Sequence, residues 1–136
     1  MFAKLDIRRQ LNYHERVLNE IAYRSAKPEV DSNMEDLRRA LAFVAEHGDA
    51  ADEKTARSLS KIFSVTDDEE LRLKCLAGLY RINASAAKNY LLAIYKDPTV
   101  TERWRNIGAT YLKQALIDGQ KISARDAAAI VAINNN

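Results

Sequence analysis

At 136 residues, 47% hydrophobic and 29% charged, the chain has the size and composition of one globular domain, which excludes a disordered polymer. Its apolar runs fall well short of the roughly 20 residues that span a bilayer, and a single cysteine, Cys75, excludes an internal disulfide framework. The net charge of +2 is lopsided: residues 1–28 carry +3, residues 29–70 carry −7 and residues 71–136 carry +6.

The spacing of apolar residues predicts a first helix over 3–25, with Leu11, Tyr13, Val17, Leu18 and Ile21 along one stripe and Pro28 closing the segment. A second is predicted after Ser32, carrying Leu37, Leu41 and Val44 as far as Gly48, where a left-handed glycine would end it. A third covers roughly 51–64, with Ala56, Leu59, Ile62 and Phe63 on one face. Thr66 is expected to cap a fourth that reaches Ile82, with Leu71, Cys75, Leu76 and Leu79 inward. The fifth spans roughly 84–96, burying Ala87, Leu91 and Ile94, and Asp97-Pro98 ends it. Thr99 is expected to cap a sixth with Trp104, Ile107, Tyr111, Leu112 and Leu116, stopping at Gly119. Ser123-x-x-Asp126 opens a seventh with Ala127, Ile130 and Val131 as its apolar side. No segment alternates strictly with β-branched residues, so no strand is expected.

A signature recurs along this series. Ser32-x-x-Glu35, Thr66-x-x-Glu69 and Thr99-x-x-Glu102 each precede a large apolar residue and an arginine: Leu37-Arg38, Leu71-Arg72 and Trp104-Arg105. Four residues on stand Leu41, Cys75 and Gly108, so each unit repeats its cap, its anchor and its spacing. The chain therefore divides into an N-terminal capping helix over 1–28 and helical hairpins over 32–65, 66–98 and 99–133, within one domain over 1–136. No such hairpin can bury its apolar face alone, so neighbours are expected to stack.

Asp67-Asp-Glu-Glu-Leu71-Arg72-Leu-Lys-Cys75-Leu76 resembles the first helix of HEAT-like repeats of the phycobilisome-lyase type. Ala86-Ala-Lys-Asn-Tyr-Leu91-Leu-Ala-Ile94-Tyr-Lys-Asp97-Pro98 resembles that family's second helix and turn. The resemblance covers 66–112 best and 32–64 less well. It implies an all-α fold in which the hairpins wind into a right-handed superhelix, a short solenoid. A tetratricopeptide-like spacing also runs through Ala86, Tyr90, Ala93, Pro98, Trp104, Ile107, Gly108 and Tyr111, while Glu70 and Lys74 break it in the preceding unit.

No catalytic constellation is legible, and no cofactor is expected. His14 and His47 lack ligand spacing, and two histidines with one cysteine offer too few donors for zinc. Cys75 and Trp104 stand at core positions of the repeat, Gly78 and Gly108 suggest close helix approach, and Arg38, Arg72 and Arg105 suggest links between neighbouring turns. The leading expectation is a non-enzymatic scaffold holding a protein partner on a concave face lined by second helices, with Arg57, Lys61, Asn89, Lys96 and Arg125 as contact residues. The alternative is nucleic-acid binding by residues 71–136, with Tyr90, Tyr95 and Tyr111 stacking on bases. A chromophore-lyase role, which the resemblance raises, would lack any nucleophile but Cys75. Neither a secretion signal nor a membrane span is evident, so the expected location is cytoplasmic.

Overall fold

The computed structural model describes residues 2–31 and 33–133, which form helices and turns and contain no strand. The elements are α1 (Phe2–Arg24), a single turn α2 (Pro28–Asp31), α3 (Met34–His47), a 3-10 turn (Gly48–Ala50), α4 (Glu53–Val65), α5 (Glu69–Arg81), α6 (Ser85–Lys96), α7 (Glu102–Ile117) and α8 (Ala124–Ile133). All seven expected helices are present. The sequence did not suggest α2: Pro28 opens a turn of helix there, at the first position, where its missing N–H costs nothing.

The helix starts differ from the expected caps. Asn33 caps α3, its Oδ1 accepting from the N–H groups of Glu35 and Asp36 at 3.0 and 3.1 Å, and Ser32 lies outside the described residues. Asp68 caps α5 by accepting from Leu71 N–H at 2.9 Å. Thr66 instead ends α4, donating its N–H to the Ile62 carbonyl, while its hydroxyl accepts from Asp68 N–H. Only two residues separate Thr66 from α5, so it belongs to the helix before. Thr99 folds back onto Asp97, donating its N–H and its hydroxyl to Oδ1, and α7 starts after Thr101. Ser123 does cap α8, accepting from Asp126 N–H at 3.1 Å. Gly119 takes a φ of +70°, the left-handed conformation that ends α7. Gly48 does not: its φ is −86°, and a Cβ there would lie 2.6 Å from Val44 Cγ1, so close packing is what calls for glycine.

The core follows the apolar faces. Leu37, Leu41 and Val44 of α3 are buried, as are Ala56, Leu59, Ile62 and Phe63 of α4 and Leu71, Cys75, Leu76 and Leu79 of α5. Ala87, Leu91 and Ile94 of α6 join them, with Trp104 and Leu112 of α7 and Ile130 of α8. The anchors Leu37, Leu71 and Trp104 therefore share one core. Two expected core residues face solvent. Tyr13 is exposed because it lies about 200° around the helix from Leu11, and Val131 stands one residue past the inward Ile130.

Packing arranges the helices in two rows. α3, α5 and α7 pack successively side by side, as do α1, α4, α6 and α8. Across the rows, α1 lies on α3, α4 on α5 and α6 on α7. α1 is thus more than a cover at the end: it extends the second row, standing beside α4 as α4 stands beside α6.

Cations pin the helix ends to their neighbours. Arg72 Nε donates to the Thr66 carbonyl at 2.9 Å, Arg105 Nε to the Tyr95 carbonyl at 2.7 Å and Arg81 Nε to the Ala45 carbonyl at 3.2 Å. Each receives a carbonyl that the end of α4, α6 or α3 leaves without an intrahelical donor, and each cation favours the negative end of a helix dipole. Arg38, the first of the recurring arginines, pairs with Glu70 across α3 and α5 at 3.5 Å.

Candidate interaction surface

α4 shows how the second row acquires its surface. Asp52 caps the helix by accepting from Thr55 N–H at 2.9 Å, and the inward set Ala56, Leu59, Ile62 and Phe63 fixes the helical phase. Positions 54, 57 and 61 must then point away from the core, at the i, i+3, i+7 spacing of one face. They hold Lys54, Arg57 and Lys61, all exposed.

Polar contacts lock α1 beside this face. Ser58 Oγ donates to Asn19 Oδ1 at 2.7 Å, and Glu15 Oε2 accepts from Thr55 Oγ1 at 2.6 Å and from Asp52 N–H at 3.1 Å. Burial raises the Glu15 carboxyl above its ordinary pKa, against the pull of the Thr55 and Asp52 bonds. Two shallow grooves result. One, of about 220 Å³, is lined by Asn19, Ala22, Tyr23, Lys54, Arg57, Ser58 and Lys61. The other, of about 340 Å³, takes in Arg16, Glu20 and Arg24 around the same Tyr23 and Lys54.

Between α6 and α8 a third cleft, of about 330 Å³, gathers Asn89, Lys96, Ser123, Arg125 and Asp126. Asn89 Nδ2 donates to Asp126 Oδ2 at 3.2 Å, so this amide ties α6 to α8. A fourth cavity of about 300 Å³, lined by Ser60, Phe63, Ser64, Arg72 and Ala93 among others, lies between α4 and α6. The five residues singled out from the sequence thus fall into two groups, Arg57 and Lys61 beside α1, and Asn89, Lys96 and Arg125 beside α8.

Charge divides the two rows. α1, α4, α6 and α8 hold eleven Lys/Arg against five Asp/Glu. Ion pairs of the described residues run mainly on the other side: Arg38–Glu70, Arg39–Glu35, Lys74–Glu70 and Arg103–Glu69 belong to α3, α5 and α7. On the second row Arg24–Glu20 is an ion pair, whereas Arg57, Lys61, Lys96 and Arg125 have none among the described residues.

Residues that the sequence offered for chemistry are otherwise engaged. Cys75 is wholly buried, and desolvation pushes its thiol far above the ordinary range, which suppresses the nucleophilic thiolate. His14 and His47 flank Phe43, with ring centroids 4.7 and 4.9 Å from it. Burial, and secondarily Arg39, lowers the His14 pKa. Among the described residues no group of three or more His, Cys, Asp or Glu is placed to hold a metal ion. Tyr90, Tyr95 and Tyr111 are half-buried; Arg105 lies over Tyr95 at 5.7 Å and Tyr111 stacks on Tyr80 at 5.1 Å. No helix of the described residues is long and apolar enough to cross a membrane.

Compared with known proteins, the chain matches no family model, no curated protein and no solved structure.

Three features of the structure were not legible in the sequence. Arg16, Tyr23, Arg24 and Lys54 join it because α1 enters the second row, a contact that no local pattern encodes. Lys88 reads as a surface residue yet is fully buried, its Nζ donating to the carbonyls of Ile82 at 2.5 Å and Leu79 at 3.1 Å. Glu15 bridges to the start of α4 across some forty residues of chain.

Proposed function

We propose that this chain is a non-enzymatic adaptor, a short HEAT-like solenoid that holds an acidic protein partner on the face formed by α4, α6 and α8. The observation that carries the reading is the split in charge. On α3, α5 and α7, Arg38, Arg39, Lys74 and Arg103 are engaged by glutamates and Arg72, Arg81 and Arg105 by backbone carbonyls, whereas Arg57, Lys61, Lys96 and Arg125 have no carboxylate partner among the described residues. Unpaired exposed cations in one row raise the encounter rate with an acidic surface and add specificity. The core packs without their help, so the row is free to serve recognition. Nucleic acid is the weaker reading, since the three tyrosines that would stack on bases are half-buried against neighbouring side chains.

The test is charge reversal with the partner retained from the native host. Lys61→Glu with Lys96→Glu is expected to weaken its binding about tenfold or more. Lys74→Glu with Lys113→Glu, on α5 and α7, leaves it within about twofold. Equal losses from both pairs in a titration would overturn the assignment.

A further inference from the structure

We propose that the groove between α1 and α4 receives a short acidic segment of the partner, a run of three or four carboxylates in extended chain; this rests on the adaptor reading and adds the partner's local chemistry. The groove concentrates cations more densely than the rest of the row. It joins the two adjoining grooves, which share Asn19, Tyr23 and Lys54. Arg16 and Arg24 of α1 line one with Lys54, Arg57 and Lys61 of α4 line the other with it, and the one acid among the lining residues, Glu20, is held by Arg24 at 2.7 Å. The cations therefore outnumber the carboxylates that could neutralise them. Lys54 also interacts with the cap carboxylate Asp52, which leaves Arg57, Lys61 and Arg16 as the freest charges.

The length of the positive track selects the ligand. Lys54 to Lys61 spans seven residues, roughly 10 Å along the helix axis. An extended peptide covers that distance with about three residues. Acids bound the track: Asp52 and exposed Glu53 stand before Lys54, and exposed Asp67 follows the end of α4. A nucleic-acid strand carries phosphate at every step and would meet those carboxylates at both ends. A brief acidic run with neutral flanks would not. Two further groups suit a peptide. Asn19 is fixed through its Oδ1 by Ser58, which leaves its Nδ2 hydrogens to donate to a peptide carbonyl. Tyr23 is 87% exposed at the junction of both grooves, an aromatic flank beside the charges that a docked chain would cover.

The experiment uses the whole chain and a labelled peptide with four consecutive glutamates between glycines, read by fluorescence anisotropy. Its glutamine twin and a single-stranded oligothymidine serve as competing probes. Binding of the glutamate peptide is expected to weaken steeply with salt. Arg16→Glu with Lys54→Glu should weaken it about tenfold or more with unchanged helicity, and Tyr23→Ala should weaken it less. Equal binding of the glutamine twin, tighter binding of the oligonucleotide, or an unaffected double variant would each overturn the inference. The two readings separate cleanly. Should Lys96→Glu with Arg125→Glu release the native partner while Arg16→Glu with Lys54→Glu does not, the adaptor stands and the groove falls; the reverse pattern keeps the groove and removes the wider face.

Discussion

Lys88 is where a single side chain says most about how the fold is held. It has no exposed surface and no carboxylate within ion-pair distance among the described residues, yet it donates to the last carbonyls of α5. Desolvation pulls its pKa from 10.5 down to about 8, opposed by the carbonyls it bonds and by the α5 dipole. The sign of the pH effect follows. Between about pH 8 and pH 10.5 the unfolded chain keeps the Lys88 proton and the folded chain releases it, so stability from this group rises with pH. Cys75 acts the opposite way above pH 9, because its raised thiol pKa keeps the folded state protonated while the unfolded state ionises. Comparison of wild type with Lys88→Met cancels the cysteine. Urea unfolding at pH 8 and pH 10 should show the wild type gaining on the variant by about 1–3 kcal/mol over that interval. A constant difference would mean that Lys88 stays charged when folded.

Between neighbouring helices, spacing is set by which glycine positions have room for a methyl group. Gly78 of α5 faces α4 so closely that a Cβ would lie 2.7 Å from Leu59 Cδ1, and Leu59 is itself fully buried. Gly108 of α7 stands at the place that Cys75 holds one unit earlier, and a Cβ there would meet only the Leu91 carbonyl oxygen, at 3.9 Å. The sequence suggests close approach for both, and the structure supports it for Gly78 alone. Alanine favours a helix interior over glycine by about 1 kcal/mol, so Gly108→Ala should raise Tm by several degrees. At Gly78 the same gain is outweighed by overpacking, which costs about 1–3 kcal/mol, and Gly78→Ala should lower Tm. Thermal melts that move both variants in the same direction would refute the distinction.

Local signals survive into the structure better than distant ones, for reasons visible in particular residues. The helices, their inward faces and the alignment of Leu37, Leu71 and Trp104 follow from periodicity, which a chain carries within each segment. The expected caps Thr66 and Thr99 have a nearer use, while Ser123 does cap α8: Thr66 ends the preceding helix and Thr99 closes a turn on Asp97. Charge summed over consecutive residues pointed to 71–136 as the basic region, yet Lys74 and Arg103 there are paired with Glu70 and Glu69. The unpaired cations of the second row come from α1, α4, α6 and α8 alike, segments brought together only by tertiary packing.

That same packing makes the two ends of the molecule unequal. α1 buries Leu11, Leu18 and Ala22, bonds to α4 through Asn19 and Glu15, and lies against both α3 and α4. α8 contributes Ile130 and Asp126 as its buried residues. Burying a leucine is worth about 1.5–3 kcal/mol, and loss of α1 would also uncover the faces of α3 and α4, enough to exhaust a net stability of about 5–15 kcal/mol. Removal of one buried isoleucine with α8 costs about 2–5 kcal/mol. A chain ending at Ile117 should therefore still unfold cooperatively, at lower Tm, whereas one starting at Ser25 should lose its sharp transition. Trp104 fluorescence during urea unfolding reads both, because Trp104 lies in the core next to Phe63 and is retained in both shortened chains. A cooperative transition in the chain lacking α1 would show that helix to be an appendage, and the second row would then begin at α4.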